Sequence, residues 1–203
     1  MVHGDNEGLV LPPYIAPTQV VLIPIQGKKE VVKEATQKLY LSLKELGYRV
    51  LVDNSNKSPG WKFSQYEMKG IPVRIEIGPR DLEKNQVVVV TRHNRNKTSY
   101  QLEDVAKNMK TILSDIHEAM YQKSLTHVHE NTYEAKTYDE FKALIKKGGY
   151  VAMSISGEEA ENIVKAETTA TARVIPFEQK IITDKCPVTG KKALQTVWFA
   201  RAY

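Results

Sequence analysis

Residues 19–53 read QVVLIPIQGKKEVVKEATQKLYLSLKELGYRVLVD. Val20-Val21-Leu22-Ile23-Pro24-Ile25 is an unbroken apolar run, the pattern of a strand buried on both faces. Behind it, apolar residues recur at Val31, Val32, Ala35, Leu39, Leu43 and Leu46. That spacing is helical, and Gly47 suits the position just past a helix end. Residues 49–53, RVLVD, read as the next strand. Strand, helix and strand in this order make a right-handed crossover between two parallel strands.

The same rhythm continues outward from this unit. A polar loop (54–60) leads into a short helical stretch that ends at Gly70. Residues 72–77 (PVRIEI) alternate in strand fashion until Gly78-Pro79, and 86–91 (QVVVVT) form another β-branched run. A basic loop, 92–97 (RHNRNK), follows, and helical periodicity runs from 101 to about 126. Alternation of α and β makes residues 19–118 an α/β domain. Upstream, residues 1–18 carry Gly4, Gly8, Pro12, Pro13 and Pro17 and read as a linker-like tail. Downstream, Thr137-Tyr138-Asp139-Glu140 is a capping box opening a helix that stops at Gly148-Gly149. Strands at 150–156, 172–176 and 196–200 and a helix at 158–166 complete a small α+β domain within 119–203.

Composition narrows the function classes. The 203 residues are 41% hydrophobic and 26% charged, an ordinary globular balance. No apolar run reaches the roughly 18 residues of a membrane span, and the N-terminus lacks the pattern of a secretory signal. One cysteine, Cys186, excludes an internal disulfide framework and fits a reducing compartment. The net charge is +5, and residues 19–118 hold the excess, with 17 Lys and Arg against 12 Asp and Glu. Such an excess suits a polyanionic partner, or simply a solvated lysine surface.

Enzyme signatures are missing. There is no GxSxG, P-loop, GxGxxG or HExxH pattern. His127-x-His129 is the only close histidine pair, and spacing i,i+2 does not share a helical face. By contrast, residues 59–81 (PGWKFSQYEMKGIPVRIEIGPRD) carry the side chains that read unpaired RNA. Phe63 and Glu67 are four apart on a helix, so a stacking ring and a carboxylate share one face. A carboxylate accepts the N–H donors on the Watson–Crick edge of guanine. Arg74 on the next strand, Arg80 and Asp81 in the turn beyond it, and Lys97 at the end of the basic loop can serve phosphates or the guanine O6 acceptor. The same residues also admit plainer roles: Phe63 in the core, Glu67 paired with Lys69 or Arg74, residues 92–97 a surface turn.

Four stretches carry a family resemblance: MVHGDNEGLVLPPYIAPTQVVLIPI (1–25), PGWKFSQYEMKGIPVRIEIGPRDLE (59–83), AETTATARVIPF (166–177) and WFARAY (198–203). They resemble, in order, the end of the class II catalytic domain, the anticodon-binding domain and the C-terminal domain of prolyl-tRNA synthetases of the archaeal/eukaryotic-type branch. The resemblance implies a five-stranded mixed sheet flanked by helices over 19–118, followed by a small α+β domain over 119–203, with 1–18 as the catalytic-domain end. It implies a C-terminal part of a cytoplasmic, homodimeric proline–tRNA ligase, whose absent portion uses ATP and Mg²⁺. Partners would be proline tRNA and the protein's own catalytic domain, with no membrane. By the same resemblance Phe63 stacks on the anticodon, Glu67 reads guanine, and Arg74, Arg80, Asp81 and Lys97 contact bases and backbone.

Relatives in this family often hold zinc through four cysteines. Here only Cys186 matches that set; Ser156 and Thr189 take the first and fourth places, and Glu161 lies near the second. One thiolate with two hydroxyls cannot close a zinc site, so no zinc is expected. Tyr203 would lend its terminal carboxylate to the parent active site, and the present chain by itself is expected to be non-catalytic. Two other readings compete: a free-standing anticodon-domain paralogue serving as an accessory RNA-binding or dimerising subunit, and a flavodoxin-like cofactor binder. The second needs a phosphate-cradling loop after Ile25, where the sequence offers only Gln-Gly-Lys-Lys-Glu.

Overall fold

In the computed structural model, which describes residues 3–202, the run at 19–25 becomes the centre of a sheet. Strand β3 (Val20–Pro24) lies between β4 (Val50–Val52) and β5 (Val73–Ile77), parallel to both. Strands β6 (Gln86–Thr91) and β7 (Lys97–Gln101) extend the sheet antiparallel, giving the order β4-β3-β5-β6-β7. The expected five-stranded mixed sheet is present. Its last strand begins at Lys97, where the sequence suggested only a loop and then a helix.

Alternation along the strands separates two faces. Val20, Leu22, Val73, Ile75, Ile77, Val87 and Val89 meet α1 (Glu30–Glu45) and the first half of α4 (Val105–Glu130) in the larger core. Val21 and Ile23 face the other way and are covered by α2 (Pro59–Met68) through Tyr66, with Ile71 beside them. Helix α2 starts where the chain dictates: Pro59 stands at its first position and Ser58 caps it. A single turn, α3 (Pro79–Leu82), follows β5.

Residues 3–18 are strapped to this unit rather than hanging from it. Short strands β1 (Gly4–Asp5) and β2 (Gly8–Leu9) pair with each other. Gly8, at φ 130°, passes so close to α2 that a Cβ would lie 2.5 Å from the Met68 Cα. Downstream, Arg49 donates to the Ala16 carbonyl at 2.8 Å and to the Pro13 and Tyr14 carbonyls at 3.1 and 3.2 Å. The proline spacing that read as a linker-like tail instead shapes an irregular strap that one guanidinium holds through three carbonyls.

The chain divides into two units between Gln122 and Lys123. In the second, β8 (Thr132–Glu134) runs parallel to β9 (Tyr150–Ile155), while β10 (Ala170–Val174) and β11 (Gln195–Arg201) complete the order β10-β11-β9-β8. Helices α5 (Tyr138–Lys147) and α6 (Glu158–Thr168) cover one face. Phe141 and Ile145 of α5, Val164 of α6, and Val151, Met153, Val197 and Phe199 of the sheet form its core, with Cys186 among them. Phe141 and Phe199 meet edge to face at 5.4 Å. Tyr203 lies outside the described residues.

Candidate nucleic-acid interface

Helix α2 covers β3 on the sheet face turned away from the larger core. The pleat turns Val73, Ile75 and Ile77 into the larger core, so Arg74 and Glu76 point to the other face. Lys97 of β7 pairs in register with Val90 and Arg74 does so with Val90 from the other side, which brings both cations onto one row.

Phe63 stands at the edge of α2 facing this row. It packs partly against the Val21–Ile23–Tyr66–Ile71 cluster. The Arg74 guanidinium lies 4.3 Å from its ring centroid and the Lys97 ammonium 6.0 Å. Arg74 also donates to Glu76 Oε1 from Nε at 3.0 Å and pairs with it through a terminal nitrogen at 2.9 Å. Their side chains are only 10% and 14% exposed, which fixes the guanidinium plane. Lys97 reaches the same Glu76 oxygen at 3.9 Å while remaining 60% exposed. A ring, a guanidinium over it and an exposed ammonium thus lie together. An unpaired base can stack there, and the remaining donors can meet phosphate or carbonyl oxygen.

Glu67 is one turn along from Phe63 on α2. Its carboxylate lies 3.7 Å from Arg95 Nε, and its backbone carbonyl accepts from Arg92 Nε at 2.8 Å. Arg92 is buried and clamps Asp5 bidentately at 2.8 and 2.6 Å. That hydrogen bonding to Arg92 holds the Asp5 carboxyl well below the usual carboxylate range. The clamp ties β1 to the C-terminal end of α2 and so fixes where Glu67 is presented.

On its inner side α2 is pinned by a buried ion pair. Lys62 Nζ donates to the Asp53 carbonyl at 2.8 Å and lies 3.4 Å from Asp53 Oδ1, both side chains being 5% exposed. Burial pushes the Asp53 carboxyl up, but hydrogen bonds from the Ser55 hydroxyl and amide and from Tyr66, with the Lys62 charge, bring it below its ordinary value. Burial first, and then Asp53, push the Tyr66 hydroxyl up to about 12.

Of the six expected contact residues, the structure brings Phe63, Arg74 and Lys97 together and sets Glu67 beside them. Arg80 and Asp81 stand apart from this cluster, in α3 past the end of β5. Arg80 is exposed, and Asp81 is half-buried with Oδ2 close to Gly78. Sequence reasoning missed Glu76, Arg92, Arg95 and Asp5. Glu76 was findable, because Arg74-x-Glu76 puts both on the non-core face of one strand. The Asp5–Arg92 clamp joins residues far apart in the chain and carries no local signal.

In the second unit Cys186, Ser156 and Thr189 do meet. The two hydroxyl oxygens are 2.8 Å apart. Burial raises the Cys186 thiol, yet hydrogen bonds from the Thr189 hydroxyl and amide, the Val188 amide and the Ser156 hydroxyl leave it below its ordinary value. One sulfur with two hydroxyl oxygens does not suit zinc. Among the described residues no group of three or more His, Cys, Asp or Glu is gathered to hold a metal ion. No helix among them is long and apolar enough to cross a membrane.

Comparison with known proteins matches residues 19–112 to the anticodon binding domain family and residues 138–203 to the family described as prolyl-tRNA synthetase, C-terminal. The proline–tRNA ligase of Aster yellows witches'-broom phytoplasma is 53% identical over 203 residues, covering 100% of this chain and 42% of that relative. Those of Oceanobacillus iheyensis and Clostridium botulinum are 47% and 46% identical, again over the whole chain and over 42% and 43% of the relatives. The chain therefore spans less than half the length of these bacterial relatives. With both family matches in this order, the chain matches the C-terminal region of prolyl-tRNA synthetases, an anticodon-binding domain followed by that family's C-terminal domain.

Proposed function

We propose that the chain reads the anticodon of proline tRNA as the C-terminal part of a proline–tRNA ligase. The observation that carries this reading is the cluster at the edge of α2, where the Arg74 guanidinium and the exposed Lys97 ammonium lie over the Phe63 ring beside the Glu67 carboxylate. A guanine stacked at Phe63 offers N–H donors toward Glu67, which releases Arg95 to a backbone phosphate. Arg74 holds the stacking surface flat, and Lys97 supplies phosphate attraction. Arg80 and Asp81 serve the same RNA further along its chain. Residues 19–118 are the reading domain in this proposal, 1–18 the end of the catalytic domain, and 119–203 the accessory domain.

The parent protein would join proline to its tRNA with ATP and Mg²⁺, both handled by residues outside this chain. It would act in the cytoplasm as a homodimer, with this region docking against its own catalytic domain. The C-terminal domain argues for the branch called archaeal/eukaryotic-type, a label for domain content that the bacterial sources of the relatives leave without support as to origin. Cys186, with Ser156 and Thr189, is the remnant of a zinc site and holds no zinc.

Binding of proline tRNA to the 203-residue chain, followed by fluorescence anisotropy, tests the reading. Exchange of a guanine in the proline anticodon should weaken binding. Glu67→Ala should erode that discrimination more than Lys97→Ala, which should mainly lower the salt dependence. Equal affinity of the intact chain for every anticodon variant would remove the site assignment.

A further inference from the structure

At the N-terminal end of α2, a cleft of about 1070 Å³ opens between α1, β4 and the loops at 26–29 and 54–58. Lys28, Lys29, Lys33, Lys57 and Lys62 line it, and no carboxylate does. Lys62 is committed to Asp53, and Lys33 pairs with Glu30 at 3.0 Å. Lys28, Lys29 and Lys57 make no ion pair among the described residues and stand exposed. Neutral donors and acceptors fill the gaps between the charges: Asn54, Ser55, Asn56, Gln26 and Gln37. Beside them the Lys57 ammonium lies 5.5 Å from the ring of Trp61, an exposed residue of α2.

We infer that this cleft is a second RNA subsite, which holds backbone phosphates of the strand whose bases are read at Phe63. The inference rests on the proposed tRNA reading and extends it to residues outside that face. Three features favour a nucleic-acid backbone over a small phosphate ester. The cations are spread over two loops instead of converging on one point. The loop after β3 has a single glycine, Gly27, and so does not make the closely wrapped amide cradle that seats one phosphate. The ammonium groups are compact point charges that follow a backbone without demanding one geometry.

Helix α2 links the two places. Pro59 and Lys62 at its first turns line the cleft, while Phe63 and Glu67 present the reading surface. A helix of 10 residues is about 15 Å long. A single strand leaving Phe63 therefore meets the cleft within that distance.

The experiment compares the 203-residue chain with the triple variant Lys28→Gln/Lys29→Gln/Lys57→Gln, binding proline tRNA over a salt series. A control changes three exposed lysines of the second unit, Lys146, Lys165 and Lys185, to Gln. For three phosphates lost from a single strand, the log–log salt slope should flatten by about 2, and affinity at about 0.1 M salt should fall about a hundredfold. The preference for the cognate anticodon should stay as it was. Unchanged affinity and slope in the triple variant would overturn the cleft alone, leaving anticodon reading intact. An equal fall in the control would overturn it too, as bulk charge. Tight saturable binding of inorganic triphosphate that the triple variant abolishes would overturn the RNA assignment in favour of a small polyphosphate. Failure of the intact chain to bind any tRNA would overturn both the cleft and the function on which it rests.

Discussion

Phe63 sits half in and half out of the core, and the two halves do different things. Its inner edge packs with Ile23 and Ile71, and its outer face carries the Arg74 guanidinium. Of the two roles open from sequence, the ring packs partly in the core, and base stacking at its outer side is the proposed one. A substitution that keeps the bulk but removes the π-face separates them. Phe63→Leu should change stability by less than about 1.5 kcal/mol, since volume is nearly conserved. It should weaken tRNA binding by roughly 1–3 kcal/mol, the range for one base–aromatic stack. Paired melting curves and binding isotherms check this, and a large loss of stability with unaltered binding would make Phe63 a core residue only.

At the scale of the element, α2 is held by what it buries: Lys62 and Tyr66 on its inner side set the rotation at which Phe63 and Glu67 are presented. Removing one partner of a buried ion pair strands the other. Lys62→Met should therefore cost about 3–5 kcal/mol, and Asp53→Asn with Lys62→Met should cost less. Urea unfolding followed by Trp61 fluorescence in a Trp198→Phe background reads this locally. The pH sign follows from Asp53. Its carboxyl is lowered in the fold, so its contribution is complete above the ordinary value of about 3.9 and disappears as pH falls through the folded value. Acid should loosen α2 only below about pH 4. How legible these elements were depended on where they lie. The buried strands β3, β5 and β6 announce themselves by β-branched runs. Strand β7, KTSYQ, is a polar edge, and its alternation of Lys97, Ser99 and Gln101 with Thr98 and Tyr100 carries too little apolar contrast to read. Three-residue β8 is shorter still. The site was legible where it is local, at Phe63–Glu67 and Arg74, and illegible where folding joins distant residues, as Arg92 to Asp5.

At the scale of the whole chain, the two units are built on different arguments for stability. The first buries a sheet between helices, and its larger core runs through α1 and α4. The second is small, and domains of its size often lean on a metal or disulfide. Its core instead gathers Phe141, Phe199, Met153, Ile145 and Val164 around the β9–β11 ladder. Beneath that ladder Ser154 and Thr196 are hydrogen-bonded at 2.9 Å, and Thr196 donates to the Lys180 carbonyl at 2.6 Å, which seals the far face with a loop. The Cys186–Ser156–Thr189 cluster closes through hydrogen bonds among its own groups. A metal that binds only the folded state would add stability by mass action, and a chelator would remove it. Here chelation should change nothing: the near-ultraviolet circular dichroism of Trp198 and the thermal midpoint of this unit should be the same with and without EDTA, and elemental analysis of the purified chain should find far less than one zinc per molecule. Cys186→Ser should be tolerated at a cost of about 1 kcal/mol or so, the range for a small buried side chain that keeps a polar partner. A midpoint that collapses on adding EDTA, and returns on adding zinc, would show that the hydroxyl cluster still ligates a metal and that apolar packing alone does not hold the unit.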